Sequence, residues 1–208
     1  MSKRRIEIVD YDPRWESRYQ SEAHDLRGVF ADALVGVHHV GSTSVPGLQS
    51  KPTIDILVEV AEGFNIPSFD PSMEALGYIC RGECLDATIP GTRGRFYYVL
   101  RDGPVHLNHA HACTVGHPEI AKILCFRDYL RSHAGAAERY GNLKAKLSDQ
   151  FSFDNIRYMQ GKDAHVKELI EVATKWASTS WVMLIERLIL HEGEASCPLC
   201  PEDSSRSE

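Results

Sequence analysis

The segment that decides the fold spans residues 39–58 and reads HVGSTSVPGLQSKPTIDILV. Its pattern predicts a strand, a glycine–serine turn at residues 41–44, a loop and a second apolar strand. The second strand carries Asp55, a carboxylate that is costly to bury unless a cation or a hydrogen-bond donor compensates it. A turn of this composition exposes backbone N–H groups that can hold a phosphate. The segment therefore predicts one site for a phosphate and its metal ion.

The residues around this segment predict strands and helices in alternation, followed by helices alone. Residues 6–9 alternate like a strand, and a helical period runs from residue 14 to about 34. Beyond the segment, a short helix is predicted near residues 72–76, a strand at 78–81 and a loop at 82–94. We expect one sheet with strands at residues 37–40, 53–60, 95–100 and 105–113.

From residue 118 onward the pattern is helical, with apolar faces over about 118–130, 136–150, 153–176 and 181–190. This order predicts a single domain over residues 1–192, in which an α/β sheet part (1–115) is covered by a helical part (116–192). The polar tail, residues 193–208, is expected to be disordered. Its Cys197 and Cys200 have the spacing of half a zinc site, with an idle pair as the alternative.

Composition limits the classes of function. A formal net charge of −6 over 208 residues argues against general nucleic-acid binding, although a nucleotide ligand remains compatible with it. No segment has the roughly 20 consecutive apolar residues of a membrane helix. The basic N-terminus lacks the apolar core of a signal peptide. Scattered cysteines indicate reduced thiols, so we expect a cytoplasmic protein that does not bind membranes.

The chain resembles the GrpB family, an uncharacterised family also found fused to dephospho-CoA kinases and a branch of the nucleotidyltransferase-like superfamily. The resemblance rests on residues 41–47, Lys51-Pro52 and residues 54–56, in order and spacing. Later blocks at residues 95–98, 109–111 and 126–131 extend it over about residues 6–177. It implies a nucleotidyltransferase-like (polymerase-beta-type) mixed sheet with a C-terminal helical extension.

In the superfamily that this sequence resembles, the glycine–serine turn holds a triphosphate through backbone N–H groups and a hydroxyl. Ser42 is the first choice for that role here. Lys51 could neutralise a phosphate, with a solvated loop lysine as the equal alternative, and Arg95 could clamp phosphate oxygens in a bidentate manner. The predicted phosphate-binding residues are Gly41, Ser42, Thr43, Ser44, Lys51 and Arg95.

Asp55 is the predicted metal ligand. Catalytic members of the superfamily carry two acids at alternate positions of this strand, but here the alternate position is Leu57. Glu59 is roughly 13 Å along the strand from Asp55, too far to share an ion. His109 and His111 alternate on a strand that the resemblance implies to be adjacent, where either could complete coordination or act as a general base. We expect one Mg²⁺ or Mn²⁺ ion, or none.

Two classes of function follow. The first is a metal-dependent enzyme that transfers a nucleotidyl or phosphoryl group, with Asp55, His109 and His111 as catalytic residues and metal ligands. The alternative is a catalytically degenerate module that binds a nucleotide or CoA phosphate, or assists a partner. The helical lysines Lys144, Lys146 and Lys162 are expected to be solvated, although one could reach an anionic ligand.

Overall fold

The protein is described by a computed structural model over residues 5–84 and 93–192, with side chains through residue 179. Five strands form one sheet, in which β2 and β5 run parallel and all other neighbours run antiparallel. The expected mixed sheet is confirmed, and the strand predicted at residues 78–81 joins the other four as an edge strand. In spatial order the strands are β1 (Leu34–Val40), β2 (Ile54–Val60), β5 (Val105–Thr114), β4 (Phe96–Asp102) and β3 (Ile79–Glu83).

Helices cover both faces of the sheet. One face carries α1 and α2, and the other carries α3, which in turn packs against α4 and α5. Single turns of 3₁₀ helix occupy Ala31–Ala33, Ser42–Ser44 and Ile66–Phe69. The helices are α1 (Arg14–Phe30), α2 (Asp70–Ala75), α3 (Pro118–Ser132), α4 (Ala134–Gln150) and α5 (Asn155–Glu192).

Alternate residues of β2 enter two different cores, because successive side chains of a strand point to opposite faces. Ile54 and Ile56 lie in the main core under α1, together with α1 residues such as Leu26. Leu57 points the other way and packs with Ile120 of α3. Asp55 shares the face of Leu57, so its carboxylate emerges on the side of the sheet that the C-terminal helices cover.

The segment at residues 6–9 does not form the predicted strand. Ile6 donates its N–H to the carbonyl of Ser152, whereas Val9 exchanges hydrogen bonds with Ser50. The backbone bonds of this segment therefore go to two separate loops, and only the Val9–Ser50 bridge has sheet geometry. The alternating apolar residues reflect one-sided burial of an extended segment.

Two helix boundaries differ from the sequence prediction. Helix α1 ends at Phe30, because Ala31 takes a positive φ of 38° that an α-helix cannot continue. Helix α5 runs unbroken through residues where a gap between two helices was predicted. There the Ser178 and Thr179 hydroxyls donate to the carbonyl of Lys175, which satisfies them within the helix.

Some predictions fall on residues outside the described ranges. These are most of the loop at 82–94, the tail at 193–208 and the cysteine pair Cys197 and Cys200. Among the described helices, none combines the length and apolarity that a membrane span requires.

Candidate functional site

The 41–44 turn is in direct contact with Asp55. Gly41 has a φ of +68°, a conformation that favours glycine. A Cβ placed on Gly41 would lie 2.9 Å from both Cβ and Cγ of Asp55 and closer still to Oδ2. Val40, the residue before the turn, is the register partner of Asp55. The glycine therefore allows the carboxylate to lie against the turn.

The three hydroxyl groups of the turn have different surroundings. Thr43 is buried and donates to the carbonyl of Thr53 at 3.2 Å. Ser44 is buried as well, and its hydroxyl donates within the turn at 2.6 Å. Ser42 is partly exposed, and its side chain acts to lower the pKa of Tyr140 of α4, which burial raises overall. The hydroxyls of Thr43 and Ser44 thus maintain the turn, whereas Ser42 faces the helical part.

Helix α3 makes hydrogen bonds to the backbone at both ends of the turn. Arg127 donates to the carbonyl of His39 at 3.2 Å, and Arg131 donates from Nε to the carbonyl of Ser44 at 2.9 Å. The His39 ring stacks on Tyr19 of α1, with ring centres 4.7 Å apart. The turn is therefore held from both faces of the sheet, which fixes its position relative to Asp55.

Asp55 forms a chain of side chains with two histidines. The parallel register places it beside His109, whose Nδ1–H donates to Oδ1 at 3.1 Å. His109 Nε2 lies 2.9 Å from Nδ1 of His106. Burial tends to raise the pKa of Asp55, but the His109 hydrogen bond, aided by the charges of His109, His111 and Lys162, lowers that pKa overall. Asp55 is therefore an ionised carboxylate near neutral pH that orients His109.

His111 has a different environment. It is the register partner of Leu57 and of Tyr97, and its ring stacks on Tyr97 at 4.9 Å. Its Nδ1 is buried and has no hydrogen-bond partner among the described residues. Burial lowers the pKa of His111 to about 4. His111 is therefore neutral at physiological pH and forms part of a packed aromatic pair.

The predicted metal ligands do not converge. Among the residues that the structure describes, no group of three His, Cys, Asp or Glu side chains is placed to hold a metal ion. Asp55 and His109 bind each other, and the position of a second acid is taken by Leu57, which is fully buried. The described residues thus offer no preformed three-ligand group for Mg²⁺ or Mn²⁺, and we assign no chemical step to a metal.

Lys144 is buried, contrary to the prediction of a solvated charge. Only 2% of it is exposed, and its Nζ donates to the carbonyl of Gln49. The ammonium lies 4.6 Å from the ring centre of Tyr140. Burial lowers the pKa of Lys144 to about 7, and the charge of Lys162 acts in the same direction. Lys146, two residues later on the same helix, is exposed.

Two more lysines share the Tyr158 ring. Lys51 Nζ lies 4.3 Å from the ring centre and donates to Asn155 Oδ1, and Lys162 Nζ lies 5.8 Å from the same centre. Burial lowers the pKa of Lys162, while the nearby Asp55 charge opposes that shift. We call Lys51, Lys144 and Lys162 the lysine cluster. Its two helical lysines, Lys144 and Lys162, feel the charge of Asp55, and the sequence prediction assigned neither of them to the site.

A sequence signal for these two lysines does exist. The spacing Tyr-x-x-x-Lys occurs once in α4, as Tyr140 and Lys144, and once in α5, as Tyr158 and Lys162. Residues four apart on a helix lie on one face, so each ring can cover the stem of its lysine. A solvated helix face has no need of an aromatic residue at that spacing.

Arg95 does not join the turn. It precedes Phe96, the register partner of Ala112, and so lies farther along the sheet than the Asp55–His109 pair. There it forms a salt bridge with Glu119 of α3 at 3.2 Å. The arrangement gives Arg95 a role in attaching α3 to the sheet.

Two surface grooves lie outside this group of residues. One, of about 640 Å³, runs along the outer side of the loop at residues 46–49 and is closed by α3 and α4. The other, of about 450 Å³, lies between α1 and the start of β5. The side chains of Asp55 and His109 are nevertheless in contact with solvent, since they are 32% and 24% exposed.

With this geometry established, comparison with known proteins identifies the class. The model of the GrpB protein family matches residues 5–172, and the chain belongs to that family. The crystal structure of the conserved protein GrpB from Enterococcus faecalis superposes with a TM-score of 0.75 at 32% identity, covering 82% of this chain and 99% of that one.

Sequence relatives extend the comparison. UPF0157 protein YqkA of Bacillus subtilis is 37% identical over 174 residues, which cover 84% of this chain and 49% of YqkA. This chain thus spans about half the length of that relative. A dephospho-CoA kinase of Mycobacterium tuberculosis is 26% identical over 190 residues, 82% of this chain and 46% of the kinase. The chain therefore resembles a portion of that larger protein.

Proposed function

We propose that this protein binds a nucleotide or another phosphate-bearing small molecule on the surface between the 41–44 turn, the Asp55–His109 pair and the lysine cluster. The observation that carries the proposal is the Lys144 ammonium, which is buried beside the Tyr140 ring. A buried lysine loses hydration, and this cost lowers its pKa. A bound anion would offset that cost directly.

A structural role is the competing explanation for Lys144, because it donates to the carbonyl of Gln49. An ammonium has three N–H donors, however, and a neutral side chain could make one hydrogen bond without the desolvation cost of a charge. Within the described ranges, neither Lys144 nor Lys162 forms a salt bridge with a carboxylate, and Asp163 pairs with Lys167 instead. Two adjacent cations without a paired acid favour an anionic ligand.

The side chains of β2 favour binding over catalytic transfer, because Leu57 stands where a second acid would be needed. A two-metal transferase needs two carboxylates that face the same ions. Here Asp55 contacts the turn, the alternate position of β2 is Leu57, and Oδ1 of Asp55 already accepts a hydrogen bond from His109. The sequence resemblance to nucleotidyltransferase-like proteins and the similarity to a portion of a dephospho-CoA kinase are compatible with a module that binds phosphate without the two-metal reaction.

One observation supports transfer as a second candidate. Asp55 accepts from Nδ1–H of His109, which fixes the tautomer and leaves Nε2 as an acceptor that His106 Nδ1 approaches at 2.9 Å. His109 could take a proton from an acceptor hydroxyl that replaces His106 at Nε2. A cytoplasmic location accompanies both candidates, since Cys80, Cys84, Cys113 and Cys125 are free.

Isothermal titration calorimetry with ATP, CTP and dephospho-CoA at pH 7 tests the proposal. We expect binding of at least one of these ligands to the wild-type protein. Lys144→Met should weaken it at least tenfold, because the ammonium contact is lost. The matched control is Lys146→Met, which alters an exposed lysine of the same helix and should bind like wild type. Absence of binding by all three ligands, or equal affinity of the Lys144→Met variant, would refute the proposal.

A further inference from the structure

We infer that His39 is a pH-sensitive positioning residue for the 41–44 turn. Its ring donates a hydrogen bond to Thr43 of the turn, protonation adds a second hydrogen bond to Glu16 of α1, and an anion bound at the turn favours the protonated form. This inference rests on the proposed function for its ligand and adds regulation of the same site by pH.

The His39 ring lies between α1 and the turn. It is buried and stacks on the ring of Tyr19. Its Nδ1 lies 3.3 Å from Oε2 of Glu16, and its Nε2 lies 3.1 Å from Oγ1 of Thr43. The Thr43 hydroxyl in turn donates to the carbonyl of Thr53 at 3.2 Å. One ring therefore connects a helix, the turn and the residue that precedes β2.

A neutral ring supplies one hydrogen too few for these contacts. The Thr53 carbonyl can only accept, and so can Glu16, because its hydrogen bond with Gln20 lowers its pKa and keeps it ionised. The Thr43 hydroxyl has one hydrogen, and a neutral imidazole carries one N–H. Three contacts need three hydrogens, whereas the neutral ring and the hydroxyl together supply two. All three contacts form at once only when His39 is protonated.

Burial decides which contact the neutral ring gives up. Thr43 and Thr53 are both buried, so breaking the hydrogen bond between them would cost the stabilisation of a buried pair. The Glu16 side chain is 53% exposed, and water and Gln20 can donate to it in place of the ring. We therefore expect neutral His39 to carry its hydrogen on Nε2, and a proton added at Nδ1 to bind Glu16.

The charges around the ring determine its affinity for that proton. Burial lowers the pKa of His39, and the positive charge of Arg131 acts in the same direction. The negative charges of Glu16 and Asp55 act to raise it but do not restore the ordinary value near 6.5. The ring is therefore neutral at pH 7.5. The titratable groups packed around it include Glu16, Tyr19, Asp55, Arg127 with its partner Asp128, and Arg131.

Ligand binding and protonation are coupled through these charges. Asp55 lies against the turn, and its charge acts to raise the pKa of His39. A phosphate bound at the turn adds negative charge in the same region, so it should raise that pKa further. Such coupling is reciprocal, because protonation of His39 must strengthen anion binding by the same factor. Binding should therefore be tighter in mildly acidic solution.

Nitrogen-15 NMR of the ligand-free protein tests the arrangement of hydrogens. The His39 signals are assigned with His39→Phe, which keeps an aromatic ring against Tyr19. At pH 7.5 we expect a hydrogen on Nε2 alone, with Nδ1 gaining one on acidification. Glu16→Gln should lower the pKa of His39, whereas Asp25→Asn, which removes an exposed charge from the same helix, should not change it. A neutral ring protonated on Nδ1, or a pKa unaffected by Glu16→Gln, would overturn the inference.

Calorimetry tests the coupling to the ligand. The affinity of whichever of ATP, CTP and dephospho-CoA binds is measured at pH 7.5 and 5.5 for wild type and His39→Phe. Titration of the ligand and of Lys144 affects both proteins, so it cancels in the comparison. On acidification the wild-type affinity should gain at least about twofold relative to the variant. Equal pH dependence in the two folded proteins would contradict the coupling.

Circular dichroism and the melting temperature establish that each variant is folded. Glu16→Gln, which changes an exposed side chain, replaces His39→Phe if that variant does not fold, and its affinity should also gain less than that of wild type on acidification. Absence of binding by all three ligands would remove the proposed function and the coupling with it. That outcome is distinct from an NMR result that contradicts the hydrogen arrangement while a ligand still binds.

Discussion

The Asp55 side chain occupies the space in which a Cβ of residue 41 would stand. Because Gly41 also has a positive φ, alanine at this position would meet both backbone strain and a clash with the carboxylate. We expect Gly41→Ala to lower the free energy of unfolding by about 3 kcal/mol or more, measured by urea denaturation at pH 7.

Gly47 is the matched control for this prediction. It also has a positive φ, of 77°, but a Cβ there would meet no atom within 4 Å. Gly47→Ala should therefore cost only about 1 kcal/mol, the contribution of backbone strain. Equal costs for the two substitutions would show that contact with Asp55 has no steric consequence.

The buried ammonium of Lys144 should destabilise the protein in the absence of ligand. Its folded-state pKa is about 7, below the 10.5 of the unfolded chain, so the unfolded state binds more protons between these values. Stability is therefore lost as the pH falls from about 10.5 to 7. Lys144→Met removes this cost but leaves the Gln49 carbonyl without its donor. We expect a net gain of about 1–3 kcal/mol at pH 7.

The pH dependence of that gain distinguishes its cause. Denaturation of wild type and Lys144→Met at pH 7 and pH 10 should show the difference shrinking at the higher pH, where Lys144 approaches neutrality in both states. A gain that is constant with pH would indicate improved packing in place of a relieved charge.

His111 should make the protein sensitive to acid. Its pKa is about 4 in the folded state and near 6.5 in the unfolded chain, so the unfolded state binds more protons between these values. Stability is therefore lost as the pH falls from about 6.5 toward 4. His111→Phe keeps an aromatic ring against Tyr97 and cannot titrate. Urea denaturation of both proteins at several pH values should give a flatter profile for the variant, and parallel profiles would contradict the assignment.

Leu57 offers no room for a second acid. It is fully buried and packs with Val40, Cys113 and Ile120. Leu57→Asp would place an unpaired carboxylate in this core and should cost at least about 3 kcal/mol by chemical denaturation. Leu57→Met, a substitution of similar volume, should cost less than about 1.5 kcal/mol. A stable Leu57→Asp variant that binds Mg²⁺ would revive the two-metal interpretation.

Much of the sheet could be predicted from the sequence, because residues 54–60 and 105–113 have the apolar and β-branched composition of strands. The adjacency of Asp55 and His109 is confirmed, but it followed from the family resemblance, since strand order is not encoded in local periodicity. The sequence prediction extended helix α1 to about Leu34, because apolar residues continue past Phe30, where the helix ends. There one backbone conformation, at Ala31, decides where the helix ends.

The helical contribution to the site was harder to predict. A lysine on a helix is usually solvated, and burial of Lys144 depends on how α4 packs against the loop that contains Gln49. Such packing is a tertiary relationship between residues nearly a hundred positions apart. The sequence likewise could not predict the orientation of the Thr43 and Ser44 hydroxyls. Serine and threonine can donate a hydrogen bond either within a turn or to a ligand, and the residue type does not distinguish the two.

The parallel pairing of β2 with β5 also constrains how the protein folds. Strand β5 is the central strand, yet it is the last strand in the chain, so the sheet stays divided until its residues arrive between β2 and β4. The Asp55–His109 contact joins residues 54 positions apart. The chain loses the entropy of closing this long loop before the contact contributes any stabilising energy. The nascent chain therefore emerges with its glycine–serine turn before the Asp55–His109 contact can form, and that contact awaits synthesis of β5.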